Sequence, residues 1–321
     1  MLLFVTTGGH GYTVKRLVAN GFGSLIPECR ATTYDTLFGA AETIHATHIF
    51  TDIERLYPWE LRLAADLHRS LRELGIACLN DPARVMCRYE LLRSLHAAGF
   101  NPFNAYRADD APRPQRFPVF IRFEAEHRET LSGLIPDQAA LVAELARLRN
   151  NAVPGRGLLV VEFAGEEVAP GAWRRFGTFR VGDSMSVDHA THDSVWAVKR
   201  GKVGVATEQM YEFEQMAVTT NAFADDIRRA FTISGIEYGR ADHGLFQGRQ
   251  VVYEINTNPT LGGLHPHPSA VRMRTQQFAH DRFAQQLWQI DSGDGSSVSL
   301  PLSTERKKYS RRELAMGARR P

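Results

Sequence analysis

Cysteine is scarce: Cys29, Cys78 and Cys87 are the only three in 321 residues. That excludes a disulfide scaffold, and their spacing matches no zinc site. A reduced, cytoplasmic setting is expected. Long apolar runs are lacking, since none approaches the length needed to span a bilayer. The opening MLLFV is too short for a signal peptide. Internal repeats are absent, and no Ser/His/Asp or Cys/His grouping offers a nucleophile. Excess charge is lacking too, at a formal net +2, and it is unevenly placed. Residues 305–321 hold seven Arg or Lys and two Glu, a balance of +5, which leaves the rest of the chain at −3. A net acidic body is not the footprint of a nucleic-acid-binding face.

What is present is ordinary for a globular protein: 43% hydrophobic and 23% charged residues, over a length sufficient for two or three packed units. Residues 1–80 alternate apolar runs and helical stretches. LLFVT, HIFTD (48–52) and IACLN read as strands. Residues 59–74 place Leu63, Ala64, Leu67, Leu71 and Leu74 at helical spacing, with Gly75 as the stop. Such alternation predicts a small open parallel sheet. Asp81 and Pro82 are expected to open a helix through Leu95. FPVFIRF (117–123) reads as a strand, 139–149 as a helix and LLVVEFAG (158–165) as an apolar strand ending in a turn. Antiparallel strands follow in 173–196 around Gly182-Asp183, then mostly helix in 210–234, and a last helix near 269–290. The stretch 291–302, DSGDGSSVSLPL, reads as a flexible linker, and the basic residues after it as a solvated tail.

The most informative stretch is YGRADHGLFQGRQVVYEINTNPTLG, residues 238–262. Read as two strands around a three-residue loop Gln247-Gly248-Arg249, it pairs residues whose numbers sum to 496. Arg240 then faces Asn256, Asp242 faces Glu254, and all four lie on one face. Ala241, Leu245, Val251, Tyr253 and Ile255 make the other face, with His243. Opposed carboxylates repel unless cations sit between them, and oxygen ligands of this kind suit Mg²⁺. A two-residue turn would instead shift the sum by one and send Asp242 and Glu254 to opposite faces, leaving an exposed hairpin with scattered charges.

Gly239-Arg240-Ala241-Asp242 followed by Glu254-Ile255-Asn256-Thr257-Asn258-Pro259 resembles the metal-binding end of the ATP-grasp superfamily, nearest to D-alanine–D-alanine ligase and related carboxylate–amine ligases. The resemblance covers roughly residues 1–290, with specific motifs only in 158–167 and 238–262. It implies an α/β (α+β) fold of three units: a preATP-grasp α/β domain in 1–80, a small or lid subdomain with a connecting helix in 81–165, and a C-terminal α+β subdomain in 166–290. The basic tail of 291–321 follows.

The same resemblance implies site residues. Asp242, Glu254 and Asn256 would hold two Mg²⁺, or Mn²⁺, against the phosphates of ATP. Arg240 would contact the acyl phosphate and the tetrahedral intermediate. Backbone groups of Val161 and Phe163, flanking Glu162, would bond adenine, and Glu167 the ribose. Arg122 and Arg88 stand where the family writes phosphate-contacting lysines, and Arg88 reads equally well as a solvated helix residue. His127 and Arg128 fall in the lid. An Arg reaching the γ-phosphate should come from Arg174, Arg175 or Arg180, around Gly177 at the aligned position. Lys199 is a further phosphate candidate, Gly262-Gly263 shape the substrate end, and His265-Pro266-His267 reads as a polar loop. The implied activity joins a carboxylate to an amine through an acyl phosphate, releasing ADP and phosphate. The alternatives are a small-molecule kinase of the same fold and a catalytically silent nucleotide-binding module. Small carboxylate and amine substrates are the expected partners. A homodimer is a common outcome for such enzymes, and neither membrane nor nucleic acid is expected.

Overall fold

The computed structural model describes residues 1–126, 129–261 and 264–317. Its first unit is the expected parallel sheet, with Leu2–Thr6 in the middle, Cys29–Thr33 on one side, and Thr47–Phe50 then Cys78–Leu79 on the other. Cys29–Thr33 is not marked by sequence pattern. It is a short, polar, half-exposed edge strand, so it lacks the apolar run that betrays its neighbours. The helix Pro58–Glu73 covers one face through Leu63, Ala64, Leu67 and Leu71, as its spacing predicts.

A second unit is the three-stranded antiparallel sheet of Ala105–Arg107, Leu158–Glu162 and Val119–Phe123, with Leu158–Glu162 in the centre. The helix Gln138–Asn150 packs on it through Leu141 and Leu148. The largest sheet runs Ser184–Asp193, Ala172–Val181, Tyr238–Phe246, Arg249–Asn256, with Glu167–Ala169 beside Ala172–Val181. Helices Glu208–Thr219, Ala224–Ser234 and Ala270–Gln289 pack against it. The chain between the first two of these helices breaks at Asn221 and Phe223, both with positive φ.

One core joins the first unit to this sheet: Leu2, Phe4 and Ile49 pack with Phe179, Val181, Tyr238, Phe283 and Leu287. Asn80 pins the same junction. Fully buried and at φ 65°, it donates through Nδ2 to Phe50 O and Tyr238 O at 2.9 and 2.8 Å. Its Oδ1 accepts from Glu237 N and Tyr238 N at 2.7 and 2.9 Å. All four hydrogen bonds open to a carboxamide are thereby made.

Two expectations are corrected. The helix expected from Pro82 begins at Arg88, as Arg88–Ala97. Residues 81–85 form a turn on Asp81, and Met86 N is diverted to Ser234 O at 2.9 Å, so the backbone becomes helical only after extended Cys87. The stretch 291–317 is not a free linker and tail. Ser297–Ser299 pairs with Glu42–Ile44, and Thr304–Gly317 is helical. Arg306 is completely buried, donating to the carbonyls of Leu37, Phe38 and Ala40. Those carbonyls end the short helix Tyr34–Gly39, and a guanidinium is well suited to such a C-terminus.

Candidate functional site

The hairpin reaches the expected pairing by an unexpected route. Its turn has two residues, Gln247 and Gly248, with φ of 51° and 72°, and the pairs next to it sum to 495, from Phe246↔Arg249 to His243↔Val252. A bulge between Asp242 and His243 then adds Tyr253 as an extra residue, and the pairs become Asp242↔Glu254 and Arg240↔Asn256. Turn and bulge each shift the register by one, and the shifts cancel. One consequence departs from the simple alternation: Val251 and Tyr253 do not share a cluster with Ala241. They pack with Leu92, Phe103, Leu159 and Val161 beneath the cavity, whereas Ala241 and Val252 pack with Leu95 and Phe231 on the other side. Tyr253 Oη donates to Ala164 O at 3.0 Å, tying hairpin to second sheet.

Two guanidinium groups meet each carboxylate. Glu254 accepts from Arg88 and lies 3.2 Å from Arg122 Nη2. Asp242, 3% exposed, accepts from Arg175 and from Arg240 Nε at 3.3 Å. Four buried or half-buried cations against two carboxylates leave a positive excess, which a polyanion would offset. The Nε atoms of Arg88, Arg122 and Arg175 are buried with no hydrogen-bond partner among the described residues, and such orphaned donors suit phosphate oxygens. Burial lowers the Arg122 guanidinium to about 10 against the pull of Glu254, so it is still charged at neutral pH. Burial pulls Arg240 down as well, but Asp242, Asp188 and Glu254 outweigh it and raise the group.

Among the three arginines near Gly177, Arg175 is the one that reaches Asp242, and its Nη2 donates to Lys199 O at 2.9 Å. Arg174 lies over the rings of Phe176 and Phe213, at 4.9 and 4.5 Å. Arg180 donates to Gly182 O and Ile236 O, both at 2.9 Å. Gly177 itself pairs with Asp242 and His189.

These groups line a cavity of about 290 Å³ between the second sheet and the hairpin. Arg88, Arg122, Val161, Glu162, Phe163, Lys199, Arg240, Asp242, Glu254 and Asn256 all border it. Glu167 does not; Glu166 takes that position, accepting from Gln247 N at 2.8 Å. Three expected contacts differ in kind. Val161 is paired on both edges, with Ala105 and Phe120, so it offers the cavity a side chain rather than backbone groups. Phe163 N–H is already donated to Pro118 O at 2.9 Å. The Glu162 carboxylate accepts from Asn104 N, Tyr106 Oη, Gln115 N and Arg116 N at 2.8–3.1 Å, which makes it a buried anchor for the loop before the 119–123 strand.

Sequence reasoning missed an aromatic box. Phe120, Phe163, Trp173 and Trp196 all line the cavity, Phe120 against Trp196 and Phe163 against both tryptophans, with ring centroids 5.0–5.8 Å apart. Two tryptophans bordering strands carry no periodic signal, so only the fold brings them together. Asp52 was missed as well. It is buried, at φ 55°, and accepts from Thr7 N at 3.1 Å and from Asn258 Nδ2 at 3.0 Å. Thr257 Oγ1 accepts from Asp52 N, and Asn258 N donates to Asn256 Oδ1 at 2.9 Å. The Asn-Thr-Asn after Glu254 thus locks the strand end onto the first unit.

A second cavity, about 380 Å³, shares Arg175, Lys199, Arg240 and Thr260 with the first. His265 borders it, and His267 Nε2 is 3.2 Å from Tyr211 Oη. His127, Arg128, Gly262 and Gly263 lie outside the described residues. No group of three or more His, Cys, Asp or Glu side chains placed to hold a metal occurs among the described residues. Asp242, Glu254 and Asn256 can still give three oxygen ligands to a hard cation, the rest of its shell coming from phosphate and water, as is usual for Mg²⁺. No described helix is long and apolar enough to cross a membrane.

No family model matches the chain, and no curated protein matches it in sequence. Solved structures do match. Bacillus anthracis D-alanine–D-alanine ligase complexed with ATP superposes with a TM-score of 0.50 at 9% identity, over 90% of this chain and 95% of that one. A second structure of that ligase gives 0.50 at 12% identity, over 97% and 98%. A RimK domain ATP-grasp protein from Sphaerobacter thermophilus gives 0.48 at 12%, over 89% and 99%, and adds no weight. At this identity the likeness is one of fold alone: the chain has the ATP-grasp fold.

Proposed function

We propose that the protein is an ATP-dependent carboxylate–amine ligase that forms an amide through an acyl phosphate and releases ADP and phosphate. The observation that supports this best is the pair of opposed carboxylates, each with two guanidinium groups, where two cavities meet. The first cavity suits ATP. Its aromatic box would stack a nucleobase, and Arg88, Arg122 and Arg175 would hold phosphate oxygens. Asp242, Glu254 and Asn256 would hold two Mg²⁺ ions, or Mn²⁺. Bound there, the metal would neutralise phosphate charge during transfer.

The chemistry then falls to positioning. A substrate carboxylate attacks the γ-phosphorus, ADP leaves, and an amine displaces phosphate from the resulting acyl phosphate. Arg240 borders both cavities and would stabilise the oxyanion formed as the amine adds. Lys199, on the same shared wall, would steady the phosphate in transit. We divide the chain accordingly into 1–80, 81–165 and 166–290, with the described part of the tail, 291–317, packed back on the first unit. A cytoplasmic setting accords with three free thiols. Small carboxylates and amines are the proposed partners, in a monomer or homodimer, without nucleic acid.

The test is a screen for ADP and phosphate release over carboxylic acids, with and without amino-acid acceptors. Carboxylate-dependent ADP and free phosphate, with amide product, is the expected result. A stable phospho-product without free phosphate would make the protein a kinase. Nucleotide binding with no substrate-dependent ADP would make it a silent module.

A further inference from the structure

Neighbouring residues of a strand face opposite sides, yet Asp188 and His189 both line the second cavity. A bulge is the cause. The pairs run Gly177↔His189 and then Thr178↔Val187, so Asp188 is the extra residue and turns to the side of its neighbour. Gly177 keeps the space open: a Cβ there would lie 2.8 Å from His189 Cε1 and 3.2 Å from Arg240 Cδ. The imidazole therefore sits beside the guanidinium assigned to the oxyanion. His189 Nδ1 donates to the Asp188 carboxylate, which fixes the tautomer and leaves Nε2 as an acceptor. Nε2 forms no hydrogen bond among the described residues. Asp188 is also the one acid among the described residues lining this cavity.

We propose that His189 is the base that takes a proton from the incoming amine, that Asp188 is its positioning residue, and that the second cavity is the amine's site. The proposal rests on the ligase reading. An amine arrives as an ammonium at neutral pH and has no lone pair to attack with. It gives one proton to His189 Nε2, and its nitrogen then bonds to the acyl carbon of the acyl phosphate. The bond from that carbon to the phosphate oxygen breaks, the second nitrogen proton leaves with hydrogen phosphate, and the imidazolium returns its proton to solvent. Apolar Phe22, Phe179 and Phe283, which also line this cavity, would take the body of the amine.

A neutral ring is needed, and the surroundings supply one. Burial lowers His189, Asp188 pulls the other way, and Arg240 and Arg272 reinforce burial, leaving the net direction downward. The charged groups facing it are Asp188 on its own strand, Arg175 on the adjoining strand, Arg240 on the hairpin strand, and Arg272 on the Ala270–Gln289 helix, itself paired to Glu214; His243 on the hairpin strand is titratable but neutral. Lys199 and Arg200 face it from the following loop.

The experiment supplies ATP, Mg²⁺ and a pool of the standard amino acids, each both carboxylate and amine, with and without hydroxylamine. Hydroxylamine is neutral at pH 7 and attacks an acyl phosphate unaided. In His189→Gln the ratio of amide to hydroxamate should fall about 100-fold. Asp188→Asn should move the acid limb of kcat/KM for amide formation to lower pH, because the carboxylate that raises the ring is gone. An unchanged ratio in His189→Gln, or equal losses of both products, overturns the base assignment and leaves the ligase reading standing. Wild-type enzyme that makes neither product and consumes no ATP overturns both.

Discussion

Gly177 shows how much one missing side chain can decide. It lies opposite both Asp242 and His189, and only a hydrogen leaves room for the imidazole and for Arg240. Gly177→Ala should fold but lower turnover roughly 100-fold, the usual cost of displacing a positioned group by about an ångström. Steady-state kinetics beside an unchanged circular dichroism spectrum would check this. The arginines were legible by place but not by partner. With five lysines among 38 basic residues, the chain writes Arg wherever it needs a cation, so residue type alone could not separate Arg175 from Arg174 and Arg180. Buried histidines bear on stability as well. Burial lowers His48, His192 and His243 to about 4 from 6.5, so they are neutral in the folded protein. The unfolded chain then binds protons first, and the stability they carry is complete above about pH 6.5 and is lost as pH falls toward 4. Urea midpoints taken across that window should drop steadily, and a flat profile would contradict this.

At the scale of elements, the hairpin is the instructive case. Alternation made its polar face visible, but the two-residue turn and the bulge at Tyr253 were not, because each hides the other in a sequence that shows only their sum. Deleting Tyr253 should remove the bulge and keep the turn, which leaves Asp242 opposite Glu254 on one face of a regular ladder. The variant should keep a thermal shift on adding ATP and Mg²⁺, and its far-ultraviolet spectrum should keep its strand signal. A lost shift would show that the bulge itself, and not the pairing of the two carboxylates alone, shapes the site. Helix Arg88–Ala97 teaches a related point. Propensity favoured an earlier start, but the tether of Met86 to Ser234 overrode it, and so delivered Arg88 at the helix start, within reach of Glu254.

At the scale of the whole molecule, the parallel sheet near the start and the antiparallel strands after it followed from alternating element types and one specific motif, whereas the contacts between the sheets did not. Asn80, Asp52 and Arg306 are single polar residues in loops or at helix ends, and nothing in their neighbours marks them as buried links. Asn80→Ala orphans four backbone groups between the first sheet and the hairpin, and should cost roughly 3 kcal/mol in a urea titration. A loss below about 1 kcal/mol would mean that water replaces the carboxamide. The site depends on that junction, since Asn80 holds the start of the first hairpin strand and Asp52 the chain leaving the second, at the open end beside the carboxylates. Titration calorimetry of ATP into the wild-type protein and into Glu254→Gln, each with and without Mg²⁺, tests the central claim most directly. Wild-type protein should take up the nucleotide in a magnesium-dependent way, and Glu254→Gln should lose that dependence. Uptake indifferent to magnesium, or unaltered by the substitution, would contradict the account.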